Sequence, residues 1–313
     1  MRKRQLGSSG PEISVVGFGA WEAGGSGWGE DVPEERTIRA MRTAIDSGMN
    51  WIDTAEVYGD GRSERIVGRA LAGRDDALVF TKVAPKGAGT GFRPDEIKEA
   101  ARKSLERLGR DEIDLYQLHW PAGQDVPIEE TWGAMSGLVD EGLVRWIGVS
   151  NFDQSLIEKC ESVRHVDSLQ PHFSMLHRDG IEDLFPFCAA NGIGIIAYGP
   201  LAYGLLTGAI TKDTKFHEDD WRGGGHGMSY YAELFAPGKL EEQLDKVESL
   251  KPVADRLGVS LPQLALAWVS HQEGVTGAIG GSRSPEHVED NAEAGDVELE
   301  TKDLEEIESI LDS

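Results

Sequence analysis

NWIDTAEVYGDGRSERIVGRALAGRDDALVFTK, residues Asn50 to Lys82, sets the pattern from which the fold is read. A short apolar run, NWID, ends on an acid, an amphipathic stretch follows from Ser63 to Leu71, and a second apolar run, ALVFTK, ends on a lysine. Short runs rich in branched and aromatic residues read as strands, and the longer periodic stretch between them reads as a helix. Two strands separated by a helix are the unit from which parallel sheets are built.

The same unit recurs on both sides of this segment. Strands are predicted at VVGF from Val15, NWID from Asn50, ALVFTK from Ala77, IDLYQLH from Ile113, VRWIGVS from Val144, VDSLQ from Val166, IGIIAY from Ile193 and TGAIG from Thr276. Helical patterns run from Glu35 to Ser47, Ser63 to Leu71, Pro94 to Leu108, Ile128 to Glu141, Gln154 to Glu161, Ile181 to Ala190, Lys239 to Leu257 and Leu261 to Ser270. Eight strands alternating with helices predict a parallel sheet, and the count favours a closed (β/α)8 barrel, a TIM barrel, over an open sheet. The open, doubly wound alternative lacks its signature: GFGAWE near Gly17 has two glycines but not the third of a dinucleotide turn, and no G-x-x-x-x-G-K-[ST] occurs. KRQLGSSGPEISVVGFG reads as a hairpin ahead of the first parallel strand, with Gly7 to Pro11 as its turn, placed to plug the barrel base. At 313 residues a single barrel domain spanning 1–313 is expected.

Composition excludes several classes of function. A formal net charge of −24 argues against nucleic acid and anionic membrane as partners, because a polyanion is repelled over most of the surface. Any phosphate-bearing ligand therefore needs a local basic site. Acids such as Glu218, Asp219 and Asp220, or Glu241 and Glu242, are expected on a solvated surface, and adaptation to high salt is a second reading of the excess. Cys160 and Cys188 are too few and too isolated for a disulfide framework or a cysteine zinc site, which fits a reducing, cytoplasmic setting. The basic start MRKRQ leads into LGSSGPEIS and not into an apolar stretch, so no export signal is read, and no segment approaches the roughly 20 apolar residues needed to cross a bilayer.

Strand alternation then points to a site. Residues two apart share a face, pairing Trp51 with Asp53, Phe80 with Lys82, Gln117 with His119 and Ile196 with Tyr198, so that each run ends on a polar or ionisable group. In a barrel of this type chemistry sits at the C-terminal ends of the strands, where Asp53, Lys82, His119 and, just past the second strand, Tyr58 converge on one mouth. Taken singly each has an ordinary explanation: an exposed lysine, a satisfied rim histidine, an aspartate capping a turn. A zinc hydrolase would use the same His and Asp, but no HExxH or clustered histidine spacing accompanies His119, His165, His172 and His177 fall in another region, and no metal is expected.

The chain closely resembles an aldo-keto reductase along nearly its whole length. IDTAEVYGDGRSE, TKVAP, DLYQLHWP, RWIGVSNF, SLQPHFSML, IIAYGPLAYGLLTG and GGSRSPEHVEDN match that family's motifs in order. The resemblance implies reduction of aldehydes or ketones by hydride transfer from NADPH, with Asp53, Tyr58, Lys82 and His119 as a catalytic tetrad. Tyr58 would give the proton, and the Lys82 ammonium would lower the phenol's pKa. Asp53 would keep Lys82 from being an unpaired buried cation, and His119 would orient the carbonyl.

The cofactor site is implied in the same way. Ser150, Asn151 and Gln170 would hydrogen-bond the nicotinamide carboxamide, and Tyr198 would stack on the ring. Gly19, Ala20 and Trp21 after the first strand and Gly199, Leu201 and Gly204 after the seventh would line the dinucleotide. Arg222, in a long segment after the seventh strand whose glycines Gly223 to Gly225 would let it move, would cover the pyrophosphate; an irregular surface loop is the other reading. Ser282 and Arg283 would meet the adenosine 2′-phosphate beside the helix begun by Ser284 and Pro285, with Asp290 and Asn291 facing the adenine and Gly280 and His287 also at the cofactor. Departures from the family pattern leave NADH as a second cofactor: Gly281 and His287 stand where many relatives carry lysine and arginine, and Phe173 and Gly199 replace a tyrosine and a serine. Trp21, Trp28, Trp120 and Trp221 are expected near the mouth, with Trp21 and Trp120 touching a small carbonyl substrate, or with two of the four packing beneath the loops. Potassium-channel β subunits share this fold and tetrad, so a non-metabolic regulatory subunit is the rival reading. Against it, the chain begins almost at the hairpin, without an extension to reach a pore, and a monomer or weak oligomer is expected.

Overall fold

The computed structural model describes residues 1–25, 27–29, 32–87, 90–123, 125–223, 231 and 233–313. Two short antiparallel strands, β1 (Lys3–Gln5) and β2 (Glu12–Ser14), come first. Eight parallel strands follow: β3 (Val16–Gly19), β4 (Trp51–Asp53), β5 (Leu78–Val83), β6 (Ile113–Leu118), β7 (Val144–Ser150), β8 (Ser168–Gln170), β9 (Gly194–Ala197) and β10 (Val275–Ile279). They close in the order β10-β3-β4-β5-β6-β7-β8-β9. The (β/α)8 barrel expected from the alternation is the observed fold.

Period-two alternation explains how the barrel fills. Trp51, Phe80, Leu115 and Ile196 form a buried cluster inside it, distinct from the larger core between sheet and helices. Leu6 and Ile13 of the hairpin complete this cluster, so the hairpin does stopper the base. Trp51 stacks on Phe80 with ring centroids 5.3 Å apart, and its indole N–H donates to the Ser14 carbonyl at 2.8 Å. The indole occupies space that two neighbours leave empty: a Cβ on Gly17 would lie 2.0 Å from the Trp51 ring, and one on Gly277 3.1 Å from it. Two residues further along the same strands stand Asp53, Lys82, Gln117 and Tyr198. Apolar residues thus close the floor, and polar ones from the same faces reach the mouth.

Helices Glu34–Asp46, Arg62–Ala70, Pro94–Leu108, Ile128–Asp140, Gln154–Glu161, Leu184–Ala190, Leu261–His271 and Pro285–Glu293 ring the barrel. Their starts follow local chemistry. Ser260 accepts from the Gln263 N–H at 3.2 Å while the Gln263 side chain accepts from the Ser260 N–H at 3.1 Å, a reciprocal cap. The sixth helix begins at Leu184 and not at Ile181, because the Asp183 carboxylate caps it there.

Thr301–Leu311 is a helix that the sequence reading passed over. Its acids mask an apolar stripe of Ile307 and Leu311, which packs beside Lys239–Leu257 while Arg256 bonds Asp303 at 2.8 Å. Asp220 also departs from expectation. It is buried, not solvated like its neighbours Glu218 and Asp219, because it grips Arg222.

Candidate active site

Strand register brings the four residues of the tetrad together. Asp53 ends β4, Lys82 lies opposite Gln117 across β5 and β6, and His119 directly follows β6. Tyr58 stands in the turn between β4 and the helix Arg62–Ala70, its N–H bonded to the Ala55 carbonyl at 3.1 Å. The Lys82 ammonium donates to Asp53 Oδ1 at 2.5 Å, to the Thr54 carbonyl at 2.9 Å and to the Tyr58 hydroxyl at 3.4 Å. Asp53 Oδ2 accepts from the Gln170 amide at 2.9 Å. The ring of His119 meets that of Tyr58 edge to face, centroids 5.5 Å apart.

Burial sets the protonation of this group. Lys82 is fully enclosed and Asp53 is 3% exposed, so the cation has a partner where water is excluded. Desolvation lowers the lysine pKa, against the pull of Asp53. His119 is pushed well below the usual histidine value by burial and then by the Lys82 charge, so its imidazole is neutral. The Tyr58 phenol moves opposite to expectation. Burial first, then the Asp53 charge, raise it well above 10. Tyr58 therefore keeps its proton at neutral pH.

Asp53, Tyr58 and His119 face a cavity of about 1050 Å³, and Lys82 sits behind them. Of the cofactor residues, Gly19, Ala20, Trp21, Ser150, Asn151, Gln170, Tyr198, Gly199, Leu201, Gly204, Arg222, Ser282, Arg283, His287, Asp290 and Asn291 all line it. Gly280 does not. Its N–H pairs with the Gly17 carbonyl at 2.9 Å, and Gly281 takes its place on the wall. A Cβ on Gly281 would lie 2.2 Å from the Gly19 carbonyl oxygen, so this approach of two strand ends leaves no room for a lysine there.

The walls are tied across strands. Asn151, in a left-handed conformation at φ 61°, donates from its amide to the His119 carbonyl at 3.2 Å and accepts from the Tyr198 hydroxyl at 2.8 Å. Tyr198 also meets the Tyr231 hydroxyl at 2.9 Å, and its ring stacks on His172 at 5.2 Å. Arg222 is held by Asp220 through two bonds of 2.9 and 2.6 Å and by the Tyr203 carbonyl at 3.1 Å, over the faces of Trp28 and Phe216. That segment is anchored at Arg222; Gly224 and Gly225, two of the three glycines assigned to its movement, lie outside the described residues. Arg283 bonds Glu22 and the Trp28 carbonyl, and Asp290 accepts from Ser260 and Gln263, both at 2.8 Å.

The aromatic entrance resolves into two layers. Trp21 and Trp120 line the cavity, Trp120 being 39% exposed. Trp28 is buried yet also lines the cavity, and Trp221, buried, stacks beneath Trp21 without reaching the wall. Sequence reading missed Glu22, Arg36, His172, Tyr203 and Tyr231. His172 was set apart from the site, yet it backs Tyr198 and stacks on His177 at 4.1 Å. Its place two residues beyond Gln170 was the available signal. Among the described residues no group of three or more His, Cys, Asp or Glu side chains is arranged to hold a metal.

A barrel that gathers an Asp–Lys–Tyr–His cluster at a cavity also lined by Ser282 and Arg283 defines a class, and the match of the family model over residues 15–312 shows that the chain belongs to the aldo/keto reductase family. It is similar to the aldo-keto reductase YhdN of Bacillus subtilis (strain 168), 36% identical over 321 residues that cover 100% of this chain and 94% of that one. The NADH-specific methylglyoxal reductase of Escherichia coli (strain K12) is 33% identical, with 97% and 96% covered. A probable voltage-gated potassium channel subunit beta of Arabidopsis thaliana is 34% identical, with 95% and 92% covered. Among solved structures, the glycerol dehydrogenase from Gluconobacter oxydans superposes with a TM-score of 0.85 at 32% identity, covering 99% of this chain and 94% of that one. An aldo/keto reductase from Klebsiella pneumoniae in complex with NADP and acetate gives 0.75 at 30% identity, with 99% and 96% covered.

Proposed function

We propose that this aldo/keto reductase reduces small aldehydes or ketones to alcohols with NADPH, and with NADH as a second cofactor. One observation carries the reading: the Lys82 ammonium, 2.5 Å from Asp53 and 3.4 Å from the Tyr58 hydroxyl, backs a cavity that Ser282 and Arg283 also line. At about 1050 Å³ the cavity exceeds the roughly 300–1,000 Å³ usual for one small ligand, as a dinucleotide and a carbonyl together require. Side chains able to stack on a flat ring, meet an amide and grip a phosphate stand along it in Tyr198, Asn151 and Arg283.

A dinucleotide held along Tyr198, Asn151 and Arg283 would supply hydride to the carbonyl carbon. Negative charge then develops on the oxygen, where the protonated Tyr58 donates its proton and the neutral His119 offers a ring N–H. As the phenol loses its proton, Lys82 at 3.4 Å is the cation that meets the new charge. Asp53, itself held by Gln170, keeps that lysine in place. Trp21 and Trp120 shape an apolar entrance suited to carbonyl compounds. The likeness to a reductase solved with NADP and to one named NADH-specific supports both cofactors. A cytosolic setting belongs to the proposal, supported by the two buried free thiols of Cys160 and Cys188.

The similarity to channel β subunits favours a second reading, a regulatory role on the same fold. An NADPH-oxidation screen against a panel of aldehydes and ketones, run at low and high salt with light scattering on the same samples, separates the two. Turnover of at least one carbonyl supports the reductase. Tight cofactor binding with no turnover of any, by a stable oligomer, would overturn it in favour of the subunit.

A further inference from the structure

Of the three arginines that line the cavity among the described residues, Arg36, Arg222 and Arg283, the last two are already engaged by carboxylates. Arg222 is closed by Asp220 from its own segment. Arg283 is engaged from the neighbouring strand end, after β3: its Nε donates to Glu22 Oε2 at 3.2 Å, and its Nη2 donates to the Trp28 carbonyl at 2.9 Å. These two donors form the edge by which a guanidinium takes a phosphate or carboxylate in two parallel bonds. Glu22 and Trp28 O therefore sit where ligand oxygens would.

We propose that Glu22 is a resident counter-anion for Arg283, displaced when a dinucleotide's 2′-phosphate binds, and that this competition sets the chain's preference between phosphorylated and unphosphorylated dinucleotides. The inference rests on the reading of the cavity as a nicotinamide dinucleotide site. A phosphate reaching Arg283 must part the Glu22 bond and then lie beside a carboxylate on the same wall, and like charges brought together at a recognition site are a device of discrimination. An unphosphorylated ribose asks neither of Arg283 nor of Glu22. Burial also pushes the Glu22 carboxyl up, and the Arg283 and Arg222 charges pull against it. Gly281, closed to any larger residue by the Gly19 carbonyl, removes a further cation that could outweigh Glu22.

The exchange is also placed to reach the reacting end. Glu22 belongs to the turn Trp21–Gly24, and Trp21 stacks on Tyr58 with centroids 6.2 Å apart and on the edge of Trp28 at 4.9 Å. Parting Arg283 from Glu22 and from the Trp28 carbonyl loosens contacts of this turn and of the loop that follows it.

The test is equilibrium binding of NADPH, NADH, 2′,5′-ADP and 5′-AMP to the wild-type protein, Glu22→Gln and Glu22→Ala, each alone and with Arg283→Ala, with melting curves for every variant. Removing the carboxylate should tighten NADPH and 2′,5′-ADP by about tenfold and change NADH and 5′-AMP by less than about twofold. In the Arg283→Ala background the gain should vanish. Equal gains for all four ligands, or none for the phosphorylated pair, overturn the role of Glu22 while leaving the cofactor site intact. Failure of the folded wild-type protein to bind any of the four overturns the dinucleotide reading and this inference with it.

Discussion

Lys82 Nζ and Asp53 Oδ1 lie 2.5 Å apart in a setting closed to water, the lysine fully enclosed and the aspartate 3% exposed. Removing one member of such a pair leaves the other charged and uncompensated. Asp53→Asn should lower stability by about 3–5 kcal/mol in a denaturant titration. Combining it with Lys82→Met should return most of that loss without restoring turnover. A single mutant as stable as the wild type would show that the pair is not sealed as described.

Tyr58→Phe removes the hydroxyl that Lys82 touches and keeps the ring against Trp21 and His119. The variant should bind NADPH within about twofold of the wild type and lose about 10²–10⁴ in kcat. Steady-state kinetics beside a fluorescence titration separates the two quantities. Retained turnover would remove Tyr58 as the proton donor.

The Tyr58 phenol is held well above 10 by burial and by Asp53. An ultraviolet titration of the free protein should find one tyrosinate signal, absent in Tyr58→Phe, that emerges only above the range of ordinary tyrosines near pH 10. A Tyr58 signal below pH 9 would mean that Lys82, not Asp53, governs the phenol before cofactor binds.

His172 is pushed down to about 3, first by burial and then by His177. Between its ordinary pKa of about 6.5 and that folded value, the unfolded chain holds a proton that the folded chain does not, so stability falls as pH falls through this window. From pH 7.5 to pH 5 the contribution is about 2 kcal/mol. His172→Phe, which keeps an aromatic ring beneath Tyr198, should lose less stability than the wild type over that interval by about this amount. Parallel slopes for the two proteins would contradict it.

A formal net charge of −24 opposes compaction through self-repulsion that salt screens. Calorimetry between about 0.1 M and 2 M KCl should show the melting temperature climbing by several degrees, the change that about 1–2 kcal/mol produces in a chain of this size. A flat response would discard high-salt adaptation.

The barrel was legible because its information is local and repetitive. Trp51 with Asp53 and Phe80 with Lys82 announce both the inward face and the end at which chemistry gathers. Contacts between distant loops were not legible. Glu22 meets Arg283 across most of the chain, and Tyr231 meets Tyr198, through loop paths that no periodicity encodes. Asp220 looked like one more surface acid because its partner, two residues away, is presented only by the bend of the segment. The helix Thr301–Leu311 was hidden for a different reason, since its four acids are interleaved with the four apolar residues that dock it.

The hairpin that stoppers the base leaves the cavity a cul-de-sac. No guest can enter from below, so each has to come and go by the mouth, and the seal that imposes this lies in Leu6, Ile13 and the Trp51 indole they cover.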